Sequence, residues 1–259
     1  MKRLQKELDL AVSAARCALA LLADALPHQC ELDVSEVAPR ELKASIDKIL
    51  ETKILGVLSE SAYPVLSEES GAMGTVGRDG LRWVVDPLDG TVNYARGLGP
   101  CSTSIALCEG IKPLFGIIGE YPSGRLAWGG RQLRGAFLDG VPLAVSDICL
   151  GPHSVLCTGI PSRFDYSDES VCLMLGHMRR FGKVRMLGAA SLSLLRVAMG
   201  AAEAYFEKDV MIWDVAAGVA IVEGAGGNIC VRPGKCDHSC DVYASNARLT
   251  GWENTHCEY

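Results

Sequence analysis

A chain of 259 residues, 49% hydrophobic and 22% charged, can bury a sizeable core as one large domain or two moderate ones. Its net charge of −6 and lack of a polybasic run exclude a surface built to coat a nucleic-acid polymer. The longest uncharged apolar stretches, around Cys17 to Ala23 and Val215 to Val222, are too short to cross a bilayer. After Met1-Lys2-Arg3, the residues Glu7, Asp9 and Arg16 interrupt the apolar run that a secretory leader needs, so a soluble cytoplasmic protein is expected. Eleven cysteines, most of them in apolar patterns (Cys101, Cys108, Cys157, Cys172, Cys230), fit reduced thiols that act as small hydrophobes.

In chain order, apolar positions at helical spacing predict a long first helix over Leu4 to Leu26, closed by Pro27. After a polar loop, Ile46, Leu50, Ile54 and Leu58 predict a second helix from about Arg40 to Ser61, with Asp47 and Glu51 on its flank. Val65-Leu66 is a short strand candidate leading into Ser67-Glu68-Glu69-Ser70. Gly71 to Gly80 then turns the chain back into an apolar strand, Leu81 to Val85, which Pro87 should stop just after Asp86. From Ser102 to about Leu143 four runs, Ser102 to Cys108, Ile111 to Glu120, Arg125 to Trp128 and Gly135 to Leu138, read as an antiparallel meander. Beyond Gly151 the rhythm alternates, with strands near Ser154 to Cys157, Val184 to Met186, Ala204 to Phe206, Asn228 to Val231 and Val242 to Ala244, and helices between most of them. The expected organisation is therefore an N-terminal α+β half with antiparallel sheet (1–148) and a C-terminal α/β half (149–259).

The chemistry concentrates in Asp86-Pro87-Leu88-Asp89-Gly90-Thr91. Two aspartates three positions apart on a turn give hard oxygen ligands, and the Gly90 and Thr91 amides give donors for an anion. Carboxylates alone would repel a phosphate; a divalent cation between them reverses the field. An Asp-Pro turn followed by an Asp-Gly turn also explains either dipeptide alone. Asp214, in Ile212-Trp213-Asp214-Val215-Ala216-Ala217-Gly218, reads locally as the N-cap of a small-residue helix running to about Glu223. The cluster Cys236-Asp237-His238-Ser239-Cys240, with Cys230 upstream, offers zinc-type ligands but no CxxC pair, and a polar turn that carries thiols is the simpler expectation.

Taken together, Glu69 in its Glu-Glu-Ser triplet, Asp86-Pro-Leu-Asp89-Gly-Thr91 and Trp213-Asp214-Val-Ala-Ala-Gly resemble the inositol monophosphatase family of magnesium-dependent, lithium-sensitive phosphatases. The resemblance extends over nearly the whole chain, through Gly135-Ala136-Phe137-Leu138-Asp139-Gly140 to Ala244-Ser245-Asn246. It implies a layered αβαβα sandwich in which the two halves complete one site for two or three Mg²⁺ ions. Glu69, Asp86, the Leu88 carbonyl, Asp89 and Asp214 would be metal ligands. Thr91 and Asp47 would orient the attacking water, with Glu69 assisting. Glu41-Leu42-Lys43-Ala44-Ser45-Ile46-Asp47 departs from the family's usual Asp-x-Val-Thr-x-x-Asp, and a salt bridge from Asp47 to Lys43 is the alternative there. The loop lysine common in the family has no counterpart near Ser35-Glu36-Val37. Gly188-Ala189-Ala190 and Glu207 would touch the sugar-like part of the substrate; Glu207 could instead pair with Lys208 or face solvent.

The resemblance implies hydrolysis of a small phosphorylated metabolite by a homodimer. Val92-Asn93-Tyr94 favours the inositol phosphatase branch, with inositol 1-phosphate as the leading substrate. A 3′(2′),5′-bisphosphate nucleotidase or a histidinol-phosphate phosphatase is the alternative. A non-catalytic member that binds a phosphorylated ligand is the reading from another class.

Overall fold

A computed structural model describes residues 4–25, 34–38, 41–78, 80–149 and 151–249. Helix α1 (Gln5–Ala25) buries Leu8, Ala11, Ala15, Ala18 and Leu22, a stripe whose alanines let the helix lie close to its sheet. Helix α2 (Ser45–Leu58) buries Ile46, Leu50, Ile54 and Leu58 as the spacing predicts, but it starts later than expected. The backbone of 41–44 pairs instead with a preceding strand: β1 (Val34–Ala38) and β2 (Glu41–Ala44) form an antiparallel ladder with Glu36 opposite Leu42.

Eight strands follow in one sheet: β3 (Val65–Ser67), β4 (Gly71–Met73), β5 (Leu81–Asp89), β6 (Cys101–Glu109), β7 (Lys112–Tyr121), β8 (Arg125–Gly130), β9 (Gly135–Leu138) and β10 (Val141–Pro142). Their spatial order is β10-β9-β8-β7-β6-β5-β3-β4, antiparallel except where β3 runs parallel to β5. The short helix α3 (Thr91–Arg96) sits between β5 and β6. The second sheet contains β11 (Val155–Thr158), β12 (Lys183–Arg185), β13 (Ala204–Met211), β14 (Asn228–Pro233) and β15 (Ser239–Ser245), in the order β12-β11-β13-β15-β14. Helices α4 (Asp168–Met178), α5 (Ala190–Ala198) and α6 (Ile212–Gly224) alternate with these strands.

Three apolar clusters define the layers. Trp83, Val85, Ile105, Phe115 and Ile117 point from one face of the large sheet onto α1 and α2. Val84, Ala106, Ile118 and Ala127, on the opposite face, pack with α5, α6 and the inner face of the second sheet. Leu156, Phe206 and Tyr243 on that sheet's outer face pack with Phe181 and Met178, next to α4. The alternation of faces along β5 and β6 is the period of a strand buried on both sides. The molecule is thus the αβαβα sandwich expected, and no described helix is long and apolar enough to cross a membrane.

Pro87 does not stop β5, contrary to the sequence expectation. The ladder to β6 continues through a bulge: Asp86 lies opposite Ser104 and Asp89 opposite Ser102, so three steps on β5 match two on β6. A bulge is where a strand tolerates proline, because the missing N–H falls outside the regular ladder. The extra residue also changes parity. Asp86 and Asp89, which would face opposite sides of a regular strand, both face the side of Ser102 and Ser104, toward α5 and α6.

Candidate metal and phosphate site

Carboxylate oxygens of Glu68, Asp86 and Asp214 lie within 4.8 Å of one another. This is the one such group of acidic, histidine or cysteine side chains among the described residues. Each comes from a different element. Ser67 on β3 is in register with Val85 on β5, and the Glu68 amide donates to the Val85 carbonyl at 3.2 Å, so Glu68 and Asp86 leave two parallel strands side by side. Glu51, buried on α2 one helical turn after Asp47, braces this corner by accepting from the Ser70 amide (3.0 Å) and hydroxyl (2.5 Å). Asp214 arrives on the first turn of α6, third in the helix and not its N-cap, a place taken by Met211. Ser104, opposite Asp86, donates to the Trp213 carbonyl at 3.0 Å and ties that turn to the large sheet.

The glutamate in the cluster is Glu68, whereas Glu69, the glutamate expected from the sequence, is not part of it. The signal was available in the parallel pairing: Glu68 follows the last residue of β3 as Asp86 follows Val85. Asp89 accepts from the amides of Ala190 (3.2 Å) and Ser191 (2.8 Å) at the start of α5. A carboxylate there complements the positive end of the helix. The Ala190 amide is thereby engaged. Asp89, Gly188 and Ala190 line the same cleft as Glu68 and Asp214, a space of about 510 Å³.

Burial pushes the Asp86 carboxyl well above the ordinary range, and the charges of Glu68, Asp214 and Asp89 push it further. Asp214 is raised well above that range by burial first, then by Glu68 and Asp89. Asp89 is raised to about 6 by burial, against the hydrogen bonds from Ser191 and Ala190, which lower it. No lysine or arginine figures among these causes. A set of hard, mutually repelling oxygens in a cleft fits a divalent cation.

Thr91 opens α3 directly after Gly90, whose φ of 91° a side chain would strain; a Cβ there would also press on Ala189 and the Gly188 carbonyl. The Thr91 hydroxyl lies 3.1 Å from the Leu88 carbonyl and 3.4 Å from Asp47 Oδ1. Asp47 is buried. The Lys43 side chain, its alternative partner, and those of Ser35-Glu36-Val37 lie outside the described residues. Asn93 links α3 to the opposite wall by donating to the Leu187 carbonyl at 2.7 Å.

Glu207 also lines the cleft and is buried. Burial raises it to about 7, opposed by the hydroxyl of Tyr205, which donates to it at 2.9 Å. Tyr205 was not anticipated, although i and i+2 on a strand share a face. Cys236, His238 and Cys240 do not gather into a ligand group. Cys240 is buried with its thiol raised to about 12, Cys236 is exposed, and the described cysteines are free thiols. Cys172, expected in an apolar setting, is exposed on α4.

A model of the Inositol monophosphatase family matches residues 3–257. Inositol monophosphatase 1 of Sus scrofa is 31% identical over 258 residues, covering 95% of this chain and 92% of its own. Nus factor SuhB of Pasteurella multocida is 33% identical over 227 residues, covering 86% of this chain and 84% of its own. The solved structure of inositol monophosphatase from Anabaena (Nostoc) sp. is similar with a TM-score of 0.76 at 30% identity, covering 94% of this chain and 92% of that one. With its carboxylate cleft at the junction of two sheets, the chain belongs to the inositol monophosphatase family, metal-dependent phosphatases that act on small phosphorylated substrates.

Proposed function

We propose that this phosphatase is magnesium-dependent and hydrolyses a small polyol phosphate such as inositol 1-phosphate by direct attack of water. The observation that carries the reading is the convergence of the carboxylates of Glu68, Asp86 and Asp214 from three different elements, with charge repulsion and burial raising the proton affinity of Asp86 and Asp214. Magnesium held there supplies charge neutralisation, an acidified water and support for the leaving oxygen. The chain's own groups do the rest. Thr91 Oγ1 accepts a proton from the attacking water while Asp47 Oδ1, 3.4 Å away, takes the hydroxyl's proton in turn. The Gly90 and Thr91 amides steady the phosphate oxygens. Asp89 fixes the cleft wall by holding the start of α5, and Glu207, with one oxygen on Tyr205, offers the other to vicinal hydroxyls of the leaving group. No covalent phosphoenzyme is needed.

The test is phosphate release from inositol 1-phosphate with magnesium, with EDTA and with lithium, beside adenosine 3′,5′-bisphosphate, histidinol phosphate and fructose 1,6-bisphosphate. Asp89→Asn and Asp214→Asn are each expected to lower turnover by at least about 100-fold while the fold is kept. Near wild-type turnover in either variant would overturn the mechanism, and no release from any ester at any magnesium concentration would favour a non-catalytic ligand binder.

A further inference from the structure

We propose that the notch between the β14–β15 hairpin and the start of β5 binds a small phosphate-class oxyanion, at a site separate from the carboxylate cleft. Arg82 Nε and Arg232 Nη2 are both shielded from solvent and neither has a hydrogen-bond partner. Among the described residues neither arginine forms an ion pair. Both line a cavity of about 340 Å³ that also takes in Lys235, His238 and Ile212. An unpaired guanidinium nitrogen held out of water is costly, and two half-buried arginines that carry one and line the same cavity suit an anion.

The surrounding acids do not meet the demand. Asp237, the one carboxylate lining the cavity, is exposed and pairs with neither arginine. Asp241, opposite Arg232 on β15, accepts from the Asp209 amide at 2.9 Å through Oδ1. Ile212 opens α6, and its amide donates to the His238 carbonyl at 2.8 Å, which sets the start of that helix beside the notch. Two planar guanidinium forks and a lysine suit the divergent oxygens of a tetrahedral oxyanion.

The experiment uses the full chain in EDTA, so that the cleft carboxylates repel anions. Inorganic phosphate, compared with chloride at equal ionic strength, is expected to raise the melting temperature and to bind saturably by calorimetry. Arg82→Gln and Arg232→Gln should each weaken that binding by at least about tenfold. In chloride alone Arg82→Met should be at least as stable as wild type, because it removes a shielded guanidinium nitrogen that has no hydrogen-bond partner. Should the glutamine variants fail to fold, Arg82→Lys and Arg232→Lys keep the charge without the fork and should still weaken binding. Glycerol 3-phosphate binding tighter than phosphate would identify an ester as the occupant, and weaker binding the free ion. Absence of any phosphate response in wild type, or an undiminished response in Arg82→Gln/Arg232→Gln, would overturn the proposal. Magnesium-dependent turnover in phosphate-free buffer stands apart from every one of these readouts.

Discussion

Burial, and then the charge of Glu68 within 4.8 Å, raise the proton affinity of Asp86 and Asp214, and that sets how the protein responds to pH. Asp89 at about 6 and Glu207 at about 7, like Asp86 and Asp214, stand above their ordinary values in the folded chain. A carboxyl raised on folding contributes stability that is whole below its unfolded value, near 4, and is lost as pH climbs through the folded value. In chelator, the melting temperature should therefore fall between about pH 5 and pH 8, with about 1.4 kcal/mol of stability lost for each tenfold gain in proton affinity that a carboxyl makes on folding. Magnesium should remove most of that fall, since it binds the ionised form. A chelated melting temperature flat across this range would contradict the arrangement. The choice between the two adjacent glutamates is equally testable: Glu68→Gln should lower turnover at least about tenfold, and Glu69→Gln should leave it within about threefold. Asp86 and Asp214 could be read from their motifs because neither has another acid next to it in the chain. Glu68 and Glu69 are adjacent acids, and only the strand register says which one turns inward.

At the scale of elements, the site depends on where β5 bends. A proline inside an apolar run looks like a strand end, and the ladder partner that tolerates it, β6, lies beyond the reach of local reasoning. The bulge places Asp86 and Asp89 on one face, where Asp89 can secure the start of α5. Helix α6 was legible as a small-residue helix, but the purpose of its small residues was not. Gly116 on β7 sits against the Ala217 backbone so closely that even a methyl group would clash. Gly116→Val is expected to cost about 3 kcal/mol, measured by urea unfolding, with an accompanying loss of metal affinity as Asp214 shifts. Wild-type stability in that variant would mean the crossing is not tight.

For the whole molecule, the alternation of apolar runs and turn residues made the antiparallel meander and the later strand–helix rhythm readable almost run by run. The β1–β2 ladder was not readable, because its strands carry charged residues at several positions and gain their pairing from each other. The layering itself could not be read from periodicity, since a strand buried on both faces and one buried on a single face differ in what covers them. Here Val84, Ala106 and Ile118 of the large sheet find their cover in Val215, Val219 and Val222 of a helix far along the chain. That helix also carries Asp214. The same crossing therefore sets a rule for recombination between relatives. A chimera joining residues 1–148 of this chain to the C-terminal part of another family member would keep Glu68 and Asp86 and still depend on whether the foreign helix presents a residue as small as Ala217 to Gly116. Which halves can be exchanged is decided by methyl groups at a helix–sheet contact, ahead of any property of the chemistry they bring.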